Sequence, residues 1–320
     1  QPAAEGEGKP APSKPAAGTP GQPAAPAPLL PVDTIKALNL EANFKLGKLV
    51  AAGMTMTKAE MELSAKNGLL DMNRLAASLY QGNAWIGVSI DVRPKQPLWK
   101  YKGGLVGVQL KPLLQDTSED LDLIEGRFEF TGELTATGNE QTSLMKSLRG
   151  AAIFKLENGM LREMNVEKMV CQAIALVNQK SLSKPFGPDT KLQTISGQLQ
   201  FGDAYINNTA FTAGLENTAV KGEGKVGLLD DSVDYRMGIR VIGELEEVDP
   251  ACEVNPRYKD IYWPFRCEGK LDDEPSKLCG IDRERMDEIV RKMAEEEVKG
   301  RASDAINKAI GDGLNRLFGR

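Results

Sequence analysis

Strict two-residue alternation of apolar and polar side chains is the feature that most constrains how this 320-residue chain can fold. In residues 38–46, apolar side chains occupy the even positions and polar side chains the odd positions. The same alternation returns in 58–65, 82–92 and 127–137. Because successive side chains of a strand point to opposite faces of a sheet, each segment predicts a half-buried β-strand.

Turn signals between these segments favour antiparallel hairpins. Asn67-Gly68 follows the second segment, and this dipeptide is a preferred hairpin turn. Another strand is predicted at 150–157, with a turn expected at Glu157-Asn158-Gly159. Further strands are predicted at 192–201, 204–213, 217–228 and 233–242. Together these segments predict a long antiparallel meander with one apolar face.

Helical spacing is confined to a few segments, so the expected class is α+β, mainly β. Asn165 is a candidate cap for a helix through Val177, where apolar side chains recur at intervals of three and four. One or two helical turns are predicted at 143–148. Residues 282–320 are expected to form a C-terminal amphipathic helix behind the cap candidate Asp282. That helix can pack on the sheet, or it can contact a membrane surface or a partner.

The N-terminal tenth of the chain has a different composition. Nine of the 18 prolines fall within residues 1–31, which contain almost no large apolar side chains. Since burial cannot offset the entropy of ordering such a segment, we expect a disordered tail or linker there and a folded domain over 32–281. No stretch is typical of a signal peptide or a membrane-spanning helix, so any membrane anchor is expected upstream of Gln1.

The absence of histidine removes several classes of chemistry. It excludes Ser-His-Asp and Cys-His nucleophiles, histidine proton shuttles and histidine-centred metal sites. The balance of 40 basic and 45 acidic residues argues against a nucleic-acid partner. A hydrolase with two carboxylates remains an alternative, but it requires two acids facing each other across a cleft. We therefore expect no catalytic residues, no metal and no cofactor.

The four cysteines are Cys171, Cys252, Cys267 and Cys279. Without histidine, only an all-cysteine zinc site is possible, and the spacing of these residues is unlike that of zinc ribbons or fingers. Two disulfides in an oxidising compartment are expected, with four buried thiols as the alternative. Among the three possible connectivities, we favour Cys252 with Cys267 and Cys171 with Cys279.

Gly222, Gly224 and Gly227 in KGEGKVG have the spacing of a dinucleotide-binding loop. That loop requires a helix after the glycines, whereas a turn and another strand are predicted here. Glu223 would also place a negative charge beside the phosphates. We interpret these residues as glycines of a closely packed, twisting sheet.

Several motifs follow one another in a recognisable order over about residues 33–245. They are Leu79-Tyr80-x-Gly82, Gly150 with Asn158-Gly159, Asp189-Thr190, and Gly222-x-Gly224 leading to Asp234-Tyr235. Within the segments NGLLDMNRLAASLYQGNAWIGVSIDVRP, EGRFEFTGELTATG and AVKGEGKVGLLDDSVDYRMGIRV, this order resembles the C-terminal domain of the AsmA family of Gram-negative envelope proteins.

The resemblance implies a non-enzymatic protein with a strongly curved, taco-like antiparallel sheet whose concave face is apolar, as in bridge-like lipid-transfer proteins. It implies a periplasmic location and a tether to the inner membrane through an N-terminal segment absent from this chain. It also implies a role in phospholipid movement toward the outer membrane and in outer-membrane biogenesis. Phospholipid acyl chains, envelope assembly proteins and the upstream membrane-anchored part are the partners it implies.

The alternation alone leads part of the way to this expectation. A large apolar sheet face must be covered by a second sheet, by helices or by an apolar ligand, and the predicted helices are too few to cover it. Lipid contact and ordinary core packing are both compatible with the pattern. The candidate lipid-contacting residues are Phe44, Leu46, Met61, Leu63, Ala84, Ile86, Val88, Ile90, Phe128, Phe130, Leu134 and Phe154. The alternative function is an adaptor that docks assembly partners without lipid, using the C-terminal helix as its contact surface.

Overall fold

The chain folds around one antiparallel β-sheet of 13 strands whose order follows the sequence. The computed structural model describes residues 28–51, 53–117, 123–254, 256, 259–273, 278–289, 291, 292 and 295. Over these residues the first and last strands are the two edges, so the sheet is open. The predicted antiparallel, mainly β fold with a few short helices is confirmed.

Each strand pairs with the next one along the chain. The strands are β1 (Asn39–Ala51), β2 (Met54–Lys66), β3 (Leu69–Leu79), β4 (Gly82–Asp91), β5 (Leu98–Gln109), β6 (Ile124–Thr137), β7 (Arg149–Leu161), β8 (Thr190–Gly202), β9 (Tyr205–Leu215), β10 (Thr218–Gly227), β11 (Ser232–Val241), β12 (Trp263–Lys270) and β13 (Cys279–Ile281). The helices are α1 (Val32–Ala37), α2 (Leu110–Thr117), α3 (Gln141–Ser147), α4 (Val166–Val177) and α5 (Leu245–Val248). A 3-10 turn follows at Pro250–Cys252, and residues 283–289 are helical.

Two of the predicted local signals are confirmed by backbone geometry. Asn67 and Gly68 have φ angles of 51° and 77°, the left-handed pair that a tight hairpin between β2 and β3 requires. The Asn165 side chain accepts a hydrogen bond from the Lys168 N–H at 2.7 Å and so caps α4. Asp282 accepts one from the Arg285 N–H at 3.3 Å at the start of the C-terminal helical segment. The rest of that predicted helix lies largely outside the described residues.

The predicted turn at Asn158-Gly159 is wrong, because β7 continues through it to Leu161. Glu157 pairs with Thr194 of β8 and Gly159 pairs with Leu192, with Asn158 between them at a φ of 49°. Asn tolerates this left-handed conformation within a strand, so the dipeptide bends β7 without ending it.

The helices pack near the two ends of the strands. At one end, Ile35 of α1 is buried with Ile90 and Val92. At the other end, Leu113 of α2 packs on the cluster that contains Val108. Val166 of α4 packs on the core of β7 to β10. No described helix is long and apolar enough to cross a membrane.

The cysteines form two disulfides, as predicted, but the favoured connectivity is wrong. Cys171 is bonded to Cys252, and Cys267 is bonded to Cys279. The reason is tertiary, because α4 and the 3-10 turn pack together in one buried cluster that contains Cys171 and Cys252. Cys267 and Cys279 are directly opposed partners in β12 and β13.

Candidate functional site

The strand register aligns one row of residues across the whole sheet. Directly opposed residues of neighbouring strands lie on the same face, so a chain of such pairs marks a continuous line over that face. The row consists of Phe44, Met61, Leu75, Ile86, Gly103, Gly132, Ala152, Leu199, Asn208, Gly224, Tyr235, Cys267 and Cys279. We call it the central row.

The other candidate lipid-contacting residues lie on the same face in neighbouring rows. One such row contains Leu63, Met72, Val88, Tyr101 and Leu134. On the other side of the central row lie Ala84, Leu105, Phe130 and Phe154. Leu46, Ile90 and Phe128 each lie two residues from a member of these rows, and alternation places them on the same face. The register therefore brings all the candidates to one side of the sheet.

Their burial divides the candidates into three groups. Ala84 and Ile90 are buried in the clusters at the two ends of the strands. Phe44 lies on the edge strand β1 and is 40% exposed. The remaining candidates are half-buried, namely Leu46, Met61, Leu63, Ile86, Val88, Phe128, Phe130, Leu134 and Phe154.

Among the described residues, the core clusters that include helical side chains lie toward the two ends of the strands. Leu46, Val88 and Phe128 pack against the core clusters formed with the help of α1, α2 and α4. Within the part of the chain that the structure describes, the other half-buried candidates belong to none of those clusters, and these are Met61, Leu63, Ile86, Phe130, Leu134 and Phe154. We call these six residues the uncovered strip.

Glycines beside this strip let aromatic rings lie close to the backbone. The ring of Phe154 lies over Gly197 of the next strand, where an added Cβ would overlap it. The ring of Phe130 would come 3.2 Å from a Cβ on Gly132. The Tyr101 side chain similarly folds over Gly103. The floor of the face is therefore built from glycine backbone and flat rings.

The residues of this face in β3 and β5 were not predicted from the sequence, and they include Leu75, Met72 and Tyr101. The first two lie in β3, where a register shift between Met72 and Leu75 interrupts the alternation. Tyr101 lies in β5, where the adjacent Gly103 and Gly104 hide the pattern. An aromatic residue two positions before a glycine, as in Tyr101-x-Gly103 and Phe130-x-Gly132, is the signal that could have identified this strand.

The opposite face of the sheet carries charge. Lys45 of β1 pairs with Glu60 of β2 at 3.4 Å, and Lys102 of β5 pairs with Glu133 of β6 at 2.5 Å. All four side chains are more than half exposed. Such pairs add little stability, but they mark this side as the solvated one.

Two tyrosines lie on the face that carries the candidate residues. Burial raises the pKa of Tyr101 and of Tyr235, so both phenols are neutral at ordinary pH. Among the described residues, no group of three or more cysteines and carboxylates could hold a metal ion. KGEGKVG forms β10, followed by the strand β11, and Gly224 faces the Tyr235 ring.

Comparison with known proteins gives one curated relative and one family match. Protein AsmA of Escherichia coli (strain K12) is 21% identical over 253 residues, which are 79% of this chain and 39% of that protein. The chain thus spans about two fifths of the length of this curated relative. No solved structure matches the chain. The model of the AsmA family matches residues 5–211, more than half of the sequence, and the chain therefore belongs to the AsmA family.

Proposed function

We propose that this chain is a non-enzymatic envelope protein whose apolar sheet face binds phospholipid acyl chains. In this proposal it contributes to phospholipid transport between the inner and outer membranes and to outer-membrane biogenesis. The observation that carries the proposal is the uncovered strip, which lies between two ends that helices do cover. Because a large uncovered apolar face is unfavourable in water, an apolar ligand is the cover that we propose.

The dimensions of the face suit a path rather than a single pocket. The central row crosses thirteen strands, and at about 4.8 Å between neighbours this gives a line of roughly 55–60 Å. Acyl chains would slide across the strands, in contact with the glycine backbone and the aromatic rings described above. The walls would be α1 at one side and α2 with α4 at the other.

We further propose that the apolar face is the concave side of a curved sheet. Register shifts interrupt several strand pairings, including β2 with β3, β5 with β6 and β8 with β9. Bulges of this kind bend strands and add to the twist of a large sheet, so they favour curvature. A concave apolar face would enclose acyl chains while leaving the charged face in water.

A periplasmic location follows from the same proposal. Disulfides persist in oxidising compartments, and this chain has two. We propose a tether to the inner membrane through sequence upstream of this chain. The upstream membrane-anchored part and envelope assembly proteins would be its protein partners.

Lipid retention tests the proposal. The chain is purified without detergent, and bound phospholipid is measured by native mass spectrometry and by uptake of a fluorescent phospholipid. Ile86→Asn places an amide in the uncovered strip and is expected to lower lipid content severalfold. Ile153→Asn is the matched control, because Ile153 is 58% exposed and pairs with Thr131 on the charged face. A wild-type chain that holds and takes up no phospholipid would refute lipid binding by this chain.

An adaptor without lipid is the second candidate, and it is favoured by the helical segment 283–289 beyond the edge strand β13. Most side chains of that segment are exposed. Deletion of residues 282–320 should then abolish capture of assembly partners and leave lipid content unchanged. Partner capture that survives the deletion would exclude this surface as the docking site.

A further inference from the structure

The charged face of the sheet contains a cavity of about 650 Å³ over β3 to β7. Its lining includes alternate residues of several strands, namely Trp85, Gly87 and Ser89 of β4 together with Lys100 and Lys102 of β5. Alternate residues share a face, and Gly87 pairs with Lys102, which forms an ion pair on the charged side. The cavity is also lined by residues of the opposite face, namely Met72, Ile86, Val88, Tyr101 and Leu134. Each lies between two other lining residues of its strand, so we assign it backbone contacts with the cavity.

The floor of this cavity at Gly87 is formed by backbone atoms. The atoms nearest to a Cβ placed on Gly87 are backbone oxygens, the closest being Asn73 O at 3.3 Å, and no side chain lies within 4 Å among the nearest atoms. Trp85 is half-buried beside it, with its indole Nε1 turned over Gly104. The indole therefore offers a flat apolar surface beside the backbone floor of the cavity.

The charge of the lining is positive on balance. Arg74, Lys100, Lys102 and Arg149 supply four cations, whereas Asp71 and Glu133 supply two anions. Lys102 is paired with Glu133, and Arg149 is paired with Asp203 at 2.7 Å. Among the described residues, Arg74 and Lys100 form no ion pair within 4.0 Å, and Lys100 lies within electrostatic range of the Asp91 carboxylate. Both cations can therefore form a direct ion pair with a ligand.

We infer that this cavity binds an acidic saccharide, whose sugar ring packs on Trp85 and whose carboxylates pair with Arg74 and Lys100. Sugar rings have apolar C–H faces that suit a flat indole, and Arg and Lys form charge-assisted hydrogen bonds with carboxylates. The site lies on the face opposite to the uncovered strip, so a phospholipid whose acyl chains occupy that strip cannot place its headgroup here. Saccharide binding is therefore independent of the proposed lipid path.

Titration of the full chain with trigalacturonic acid tests this inference. Binding is followed by calorimetry, with maltotriose as the uncharged analogue and inorganic phosphate as the charge-only probe. We expect binding of trigalacturonic acid, at least about tenfold weaker binding of maltotriose, and no competition by equimolar phosphate. The double variant Arg74→Gln with Lys100→Gln should weaken trigalacturonic acid at least about tenfold.

A floor-filling variant separates this cavity from general surface charge. Gly87→Val places a side chain over the backbone floor of the cavity without changing its charge. This variant should abolish binding. Gly47→Val is the matched control, because no atom lies within 4 Å of a Cβ at Gly47 in β1. Circular dichroism is used to check that both variants are folded. Absence of trigalacturonic acid binding to wild-type protein, or equal binding by Gly87→Val and Gly47→Val, would overturn the inference.

Discussion

The ring of Phe154 in β7 lies directly over the backbone of Gly197 in β8, its opposed partner in the sheet. A methyl group on Gly197 would overlap this ring and would also come 3.0 Å from Asn208 Nδ2. The absence of a side chain at Gly197 is thus what allows Phe154 to lie flat on the apolar face.

Replacing Gly197 by Ala should therefore destabilise the fold by about 1–3 kcal/mol, since the Phe154 ring must leave its position. The free energy of unfolding is measured by urea denaturation. Phe154→Leu in the Gly197→Ala background should recover part of the loss, because the smaller side chain leaves room for the methyl group. Purely additive effects of the two substitutions would contradict this packing relationship.

Disulfide mapping should recover a Cys171–Cys252 peptide and a Cys267–Cys279 peptide from non-reduced protein. The first bond closes a separation of 81 residues and the second a separation of 12. Loop-closure entropy then predicts a loss of about 4.5 kcal/mol on removal of the first bond and about 3 kcal/mol on removal of the second. Two double variants test this order of stabilities by urea denaturation. One combines Cys171→Ser with Cys252→Ser, and the other combines Cys267→Ser with Cys279→Ser. A Cys252–Cys267 peptide would disprove the connectivity.

Asp249 should make the fold sensitive to acid. Its buried carboxylate accepts hydrogen bonds from the N–H groups of Ala251, Ser183 and Lys184, and these bonds lower the pKa of Asp249. A lowered pKa means that stability is present above the ordinary value near 4 and is lost as the pH falls further. Asp249→Asn should lower stability at pH 7 and flatten the dependence of the urea midpoint between pH 5 and 3. An unchanged pH profile would remove Asp249 from this role.

A hydrogen bond from Tyr80 holds α2 near one end of the strands. Its hydroxyl donates a hydrogen bond to Asp116 Oδ2 at 2.5 Å, which joins the turn after β3 to the end of α2. Burial and the neighbouring Asp116 carboxylate raise the pKa of Tyr80 to about 12, so the bond is kept at neutral pH and lost only in strong alkali. Tyr80→Phe should speed amide exchange of residues 110–117 severalfold, while exchange in α4 stays unchanged. Equal rates in wild type and variant would show that α2 does not depend on this bond.

Much of the sheet is predictable because its strands obey the two-residue alternation that sheet pleating imposes. The alternation fails where the backbone departs from regular pleating, as at the bulge between Met72 and Leu75, and β3 was missed there. Helix caps depend on neighbouring residues alone, which is why Asn165 could be assigned in advance. The disulfide pairing could not, because Cys171 meets Cys252 only through the packing of distant elements.

The candidate site was predictable to the same degree. Alternation is enough to place Ile86, Phe130 and Leu134 on one face, because it needs only the sequence of each strand. Helices cover only some residues of this face, and which ones depends on how the segments between strands fold back onto the sheet. The burial of Ala84 and Ile90 could therefore not be inferred from the sequence. The cavity around Gly87 was also missed, since a glycine floor is defined by the longer side chains around it.

Photocrosslinking in cells tests whether the uncovered strip contacts phospholipid. Benzoylphenylalanine is introduced at Leu134, in the uncovered strip, or at Ile153, on the charged face, in protein produced in cells and irradiated before purification. We expect a phospholipid adduct at position 134, detected as an increase in the intact mass of the protein, and none at position 153. Equal labelling at the two positions, or no lipid adduct at position 134, would contradict this expectation.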